Sequence, residues 1–125
     1  KAGAISTLIS HGALYLVCER DGAVVGFAKM GPYDDHSHYY DGIGEATVYV
    51  ARDARRAGAG RALLSSLAEA AHGRGKHKLT AKVMAQNAGS IALFEACDFR
   101  VVGTHHRHGE LAGEWLDVVV LERSL

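Results

Sequence analysis

The stretch "VYVARDARRAGAGRALLSSL", Val48–Leu67, decides how this chain is read. A β-like apolar run meets four arginines, Arg52, Arg55, Arg56 and Arg61, interleaved with Gly58 and Gly60. From Gly60 onward, small and apolar residues recur at 60, 63, 64, 67, 68 and 71, the spacing of one helix face. The stretch is therefore a strand-to-helix junction. A helix start leaves backbone N–H groups unpaired and carries partial positive charge. Glycine there admits a ligand close to the backbone, and arginine adds planar donors that match phosphate oxygens. Together these features suit a pyrophosphate. A Walker A loop would need Gly-Lys-Ser/Thr, which is absent, and a Rossmann turn would need a third glycine where Leu63 stands. On residues alone, a solvated arginine loop beside a glycine-kinked helix start stays open as the alternative.

Working outward, "ALYLVCER" (13–20), Asp21-Gly22 and "AVVGFAKM" (23–30) predict a β-hairpin around an Asp-Gly turn. "GPYDDHSHYYDG" (31–42) reads as a polar, aromatic-rich loop. "IGEATVYVA" (43–51) is a strand with Glu45, Thr47 and Tyr49 on one face and Ala46, Val48 and Val50 on the other. "KLTAKVM" (78–84) alternates as a strand, and "NAGSIALFEAC" (87–97) predicts a helix with Asn87 as N-cap. "FRVVGTHHRH" and "EWLDVVVLER" form a closing strand pair around Gly109–Gly113. At the front, "AISTLIS" has a helical pattern. No repeat, low-complexity tract or linker divides the chain, so residues 1–125 read as a single α/β domain.

Composition narrows the function classes. Fourteen Lys and Arg balance fourteen Asp and Glu, so no global field draws nucleic acid or an anionic membrane. No apolar run reaches the roughly 20 residues of a membrane span, and no signal peptide is visible. Cys18 and Cys97 lie far apart without zinc spacing, and read as buried thiols of a reducing compartment rather than a disulfide. The chain begins at Lys1 without methionine, which suggests a trimmed version of a longer protein. "HHRH" (105–108) invites a metal reading, but strand alternation puts only His106 and His108 on one face, with His105 pointing away. No metal is expected.

"RRAGAG" (55–60), after "VYVA" and before "RALLSSL", resembles the (Gln/Arg)-x-x-Gly-x-(Gly/Ala) acetyl-CoA signature of the GNAT acetyltransferase superfamily. Arg55, Gly58 and Gly60 fill its defined positions. "NAGSIALFEACDFRVVG" (87–103) is similar to the superfamily's second motif. "GEATVYVA" and "FRVVGTHHRHGELAGEWLDVVVLE" resemble the phosphinothricin/arsinothricin N-acetyltransferase branch. The resemblance runs from Ala13 to Leu125. It implies a GNAT fold, a mixed and mostly antiparallel central sheet flanked by helices, whose own N-terminal strand and helix would precede Lys1.

The resemblance also implies roles. Glu45 would be the base, where the residues alone favour a solvent-facing strand-end glutamate. Backbone near Val48 and Val50 would bond the pantetheine arm of acetyl-CoA. Arg55, Arg56, Gly58, Ala59, Gly60 and Arg61 would hold its pyrophosphate, and Asn87 would reach the pantetheine or serve as N-cap. Tyr33 and Tyr40 would line the acceptor pocket, with His36 and His38 nearby and Arg107 as an anion contact; the same loop also reads as plain exposed surface. Phe94 stands where many of these enzymes carry a tyrosine general acid, and Asp98 replaces a helix-ending glycine, a place for positive φ. The implied function is acetyl-CoA-dependent N-acetylation of a small amino-acid-like substrate by direct attack on the thioester, in a cytoplasmic homodimer. A polyamine, an aminoglycoside or a protein N-terminus is the alternative acceptor, and a non-catalytic acyl-CoA-binding module is the reading from another class.

Overall fold

The computed structural model describes residues 3–10, 13–34, 36–55 and 58–125. In chain order they form β1 (Ala4–Ser10), β2 (Ala13–Arg20), β3 (Ala23–Pro32), β4 (Ile43–Val50), α1 (Ala59–Gly73), β5 (Lys78–Met84), α2 (Ala88–Ala96), β6 (Arg100–Leu111) and β7 (Glu114–Ser124). The seven strands make one sheet in the order β1-β2-β3-β4-β5-β7-β6. β4 and β5 run parallel, and every other neighbouring pair is antiparallel. This is the mixed, mostly antiparallel sheet expected.

The β2–β3 hairpin closes through Asp21 and Gly22, whose φ values of 53° and 80° are those of a type I′ turn. Its register sets Leu14 against Met30, Leu16 against Ala28 and Cys18 against Gly26, and the next register sets Met30 against Ala46. These buried residues present one apolar face. On it lies α1, whose Leu63, Leu64 and Leu67 are wholly buried with Leu79 and Leu121 of the sheet. Each such leucine contributes on the order of 1.5–3 kcal/mol of burial. α1 ends in a Schellman closure, with Gly75 N–H donating to the His72 carbonyl and Lys76 N–H to that of Ala71. Cys18 and Cys97 are buried as expected, and Asp98 takes the expected positive φ, 71°.

Two expectations are corrected. "AISTLIS" is a strand rather than a helix, pairing from Ala4 opposite Glu19 to Ser10 opposite Ala13. Seven residues fall short of the roughly 12–15 that an isolated helix needs. The edge of β2 offers them a ladder, and Ile5, Thr7 and Ile9 suit a pleated surface. The "HHRH" segment does not alternate. Register jumps from His105 opposite Val118 to Gly109 opposite Leu116, and Arg107 takes a φ of 51° within that bulge. The extra residues turn His106 toward Asp117, at 3.1 Å, and stack the rings of His105 and His108 at 4.3 Å.

Candidate active site

Parallel pairing of β4 with β5 covers only Ile43–Glu45 against Lys78–Thr80. Beyond Glu45 the strands part, although β4 continues its ladder with β3 as far as Val50 opposite Gly26. The second half of β4 therefore presents a free backbone edge inside the sheet, which is how a protein accepts an extended ligand as an added strand. The gap is a cleft of about 160 Å³ lined by Ala46, Thr47, Val48, Lys82, Val83, Met84, Asn87, Ser90 and Phe94. Phe94, 3 % exposed and edge-on to Phe99, walls it with a ring that donates no proton.

The start of α1 lies beside this gap. After β4 a 3-10 turn, Arg52–Ala54, leads to Gly58, whose φ of 88° caps the helix without any side-chain hydrogen bond. The first intrahelical bond is Ala62 N–H to the Gly58 carbonyl, and the cap residue itself, a glycine, brings no side chain to the N–H groups of Ala59, Gly60 and Arg61. Such a turn suits anionic oxygens. Gly60 is buried, and a Cβ there would point at Leu93 and Val50. Its missing side chain serves packing between α1 and α2, and what it can offer a phosphate is its backbone. Arg55 Nε donates to the Val50 carbonyl at 3.0 Å, which ties the loop to the end of β4 and occupies that acceptor. Arg61 is exposed on the first turn. Arg56 lies outside the described residues. Asn87 lines the cleft and also caps α2, accepting from Ser90 N–H at 3.3 Å, so its two expected positions coincide.

Glu45 sits where the strands divide, opposite Gly31 on one side and Thr80 on the other. Its Oε2 lies 3.5 Å from Lys82 Nζ. A second cleft, of about 330 Å³, is lined by Tyr33, Asp34, Thr80, Lys82, His105, His108 and Val120. Lys82 lines both clefts and is where they meet, with Glu45 3.5 Å from its ammonium. Of the expected acceptor residues, Tyr33 lines the second cleft and Tyr40 packs behind it, ring centres 5.3 Å apart. Arg107, His36 and His38 do not line it. Arg107 instead donates its backbone N–H to Asp117 Oδ1. That bond, and after it the His106 contact, holds the Asp117 carboxyl below its usual range. Burial raises the Cys97 thiol. Among the described residues no group of three or more His, Cys, Asp or Glu is placed to hold a metal.

Sequence reading missed Lys82, Thr80, Asp34 and the turned His105. For Lys82 a signal existed: the alternation of "KLTAKVM" sets Lys78, Thr80 and Lys82 on one face of an inner strand, where a lysine is out of place unless something engages it.

A profile of the acetyltransferase (GNAT) family matches residues 4–99. The phosphinothricin N-acetyltransferase of Alcaligenes faecalis is 36 % identical over 119 residues, 94 % of this chain and 60 % of that protein. The L-amino acid N-acyltransferase MnaT of Escherichia coli K12 is 34 % identical over 110 residues, 88 % of this chain and 63 % of its own. This chain thus spans under two thirds of the length of these relatives. Among solved structures, a ribosomal-protein-alanine N-acetyltransferase from Brucella melitensis superposes with a TM-score of 0.86 at 41 % identity, covering 91 % of this chain and 70 % of that one. The acetyltransferase yncA from Salmonella typhimurium, solved with its cofactor acetyl-CoA, also superposes at 0.86, with 34 % identity, over 91 % of this chain and 65 % of its own. This chain belongs to the acetyltransferase (GNAT) family.

Proposed function

We propose that residues 1–125 form a single acetyl-CoA-dependent N-acetyltransferase domain that acetylates the amino group of a small amino-acid-like molecule. One observation carries this reading: the β4–β5 ladder stops at Glu45 and Thr80, and beyond it opens a cleft lined by Val48, Lys82, Asn87 and Phe94, with the start of α1 packed against Val50 at the end of β4. The residues present fit acetyl-CoA. The edge of β4 at Val48 and at the Val50 N–H takes the pantetheine arm, the Val50 carbonyl being held by Arg55, with Asn87 across the cleft. The N–H groups of Ala59, Gly60 and Arg61 hold the pyrophosphate, with the guanidinium groups of Arg55, Arg56 and Arg61 and the turn that Gly58 permits. When bound, acetyl-CoA supplies the thioester carbonyl that an amine attacks. Glu45 receives the proton of the acceptor ammonium, directly or through water, and so frees its lone pair. Phe94 has no proton to give, so the proton that a CoA thiolate would need would come from water or from another residue.

The names of the relatives support an amino-acid-like acceptor, and that of the Brucella protein supports a peptide amine as the second reading. No helix among the described residues is long and apolar enough to cross a membrane. We place the protein in the cytoplasm as a homodimer; exposed Val101, Val102, Leu111 and Trp115 on the β6–β7 side of the sheet support a second copy there.

The test is thiol release from acetyl-CoA against a panel of amino acids, phosphinothricin analogues, polyamines, aminoglycosides and alanine-initiated peptides. Glu45→Gln is expected to lower turnover about 10²–10⁴-fold. Acetyl-CoA at a hundredfold excess over its Kd stabilises either protein by about 2.7 kcal/mol. A melting temperature unmoved by millimolar acetyl-CoA removes the reading, and unchanged turnover in Glu45→Gln removes Glu45 as base. A stabilising shift without release on any acceptor leaves a binding module.

A further inference from the structure

Thr80 is only 8 % exposed, and its Oγ1 has no hydrogen-bond partner among the described residues. A buried hydroxyl without a partner is unfavourable, and its natural complement is a ligand in the cleft that Thr80 lines. Beside it stands Glu45, its register partner across the β4–β5 ladder, so the two side chains leave the sheet on the same face. Two residues further along β5, Lys82 leaves on that face too, its ammonium 3.5 Å from Glu45. The Lys82 side chain is 57 % exposed. An ion pair that open to water holds its partners weakly, so either charge can exchange the other for a ligand at little cost.

We propose that Lys82 and Thr80 form an anchor for the carboxylate of the acceptor, making the protein selective for free α-amino acids over amines that lack the acid group. The proposal deepens the function argued above and rests on it. An α-amino acid carries an ammonium and a carboxylate on one carbon, and Glu45 beside Lys82 is the complementary pair of charges. The acceptor carboxylate takes the Lys82 ammonium and the Thr80 hydroxyl, which donates its proton to it. That displaces Lys82 from Glu45 and leaves the Glu45 carboxylate facing the ammonium it must deprotonate. Asp34, at the same cleft, repels a carboxylate from its own side and so favours the Lys82 end. His105 and His108, stacked on the remaining wall, are left to meet the side chain.

The experiment compares one α-amino acid with its own carboxamide, which keeps amine and side chain and loses the charge. Wild-type protein is expected to show a lower KM for the acid. Lys82→Met is expected to raise that KM about tenfold or more and the KM of the amide far less, and Lys82→Arg to recover most of it. Thr80→Val keeps the shape and removes the hydroxyl. It is expected to raise the KM of the acid without lowering the melting temperature, because no protein contact is lost. Equal effects on acid and amide, no effect on either, or a wild-type preference for the amide would each overturn the anchor. A melting-temperature loss in Thr80→Val would assign its hydroxyl to the fold and remove it from the anchor. If acetyl transfer to α-amino acids proceeds but ignores Lys82, only the anchor fails. If no thiol is released with any α-amino acid, the amino-acid reading fails and takes the anchor with it.

Discussion

A Cβ built on Gly60 would come within 2.8 Å of Leu93 Cδ2, whereas one built on Gly58 would meet nothing within 4 Å among the described residues. Gly58 is required for its φ of 88°, which other residues adopt only at a cost of about 1–2 kcal/mol. Gly60 is required for the approach of α1 to α2. The two glycines look like one motif in sequence, where nothing reports which way a missing side chain would have pointed. The structure separates them, and their variants should separate too. Gly60→Val is expected to destabilise by about 1–3 kcal/mol through overpacking. Part of that loss should return when Leu93→Ala is added, because the contact is with the end of the Leu93 side chain. Gly58→Ala should cost less, and Leu93→Ala should not relieve it. Thermal melts of wild type and the five variants decide the matter, and additivity of Gly60→Val with Leu93→Ala would refute the contact as the cause.

At the scale of elements, legibility follows the period of the side chains. β2, β3, β4, β5, α1 and α2 carry clean periodicities or caps, and the sequence places them within a residue or two. β1 failed because seven residues fit either period and an edge ladder decided between them. β6 failed at its bulge because a two-residue alternation cannot anticipate extra residues in one strand. What fixes the bulge is on β7: Asp117 accepts from the Arg107 backbone N–H and meets His106. Because the folded protein holds the Asp117 carboxyl below its usual range, its contribution is complete above that range. It fades as pH falls through the lowered value, from about pH 4 downward. Glu122, lowered first by the hydrogen bond from Lys78 and also by Arg100, acts with the same sign on the same strand. Melting temperatures taken from pH 7 to pH 2 should therefore fall less steeply for Asp117→Asn than for wild type. Superimposable acid limbs would show that the bulge stands without this carboxylate.

Across the whole molecule the sheet divides the work between its faces. Sequence predicted the β6–β7 hairpin but not that the later strand is the inner one, although the reason is chemical. β7 buries Val118, Val119 and Leu121, while β6 buries nothing, so β7 is the strand that docks on β5. Docking that strand completes the wall on which the second cleft is built, through Val120 opposite Lys82. The first cleft owes nothing to β6 or β7: it comes from β4, β5 and α2, beside the start of α1. Two ligands that enter separate clefts and meet at the Lys82–Glu45 pair should thus leave separable marks in amide hydrogen exchange. Acetyl-CoA alone is expected to slow exchange in the second half of β4 and the first turn of α1, where backbone groups await partners. Adding an amino acid to the complex with CoA is expected to slow exchange next around Tyr33 and Asp34 and along the β6 bulge, with β4 unchanged. Protection of the bulge by acetyl-CoA alone, or of α1 by the amino acid, would mean that the sheet does not keep donor and acceptor apart.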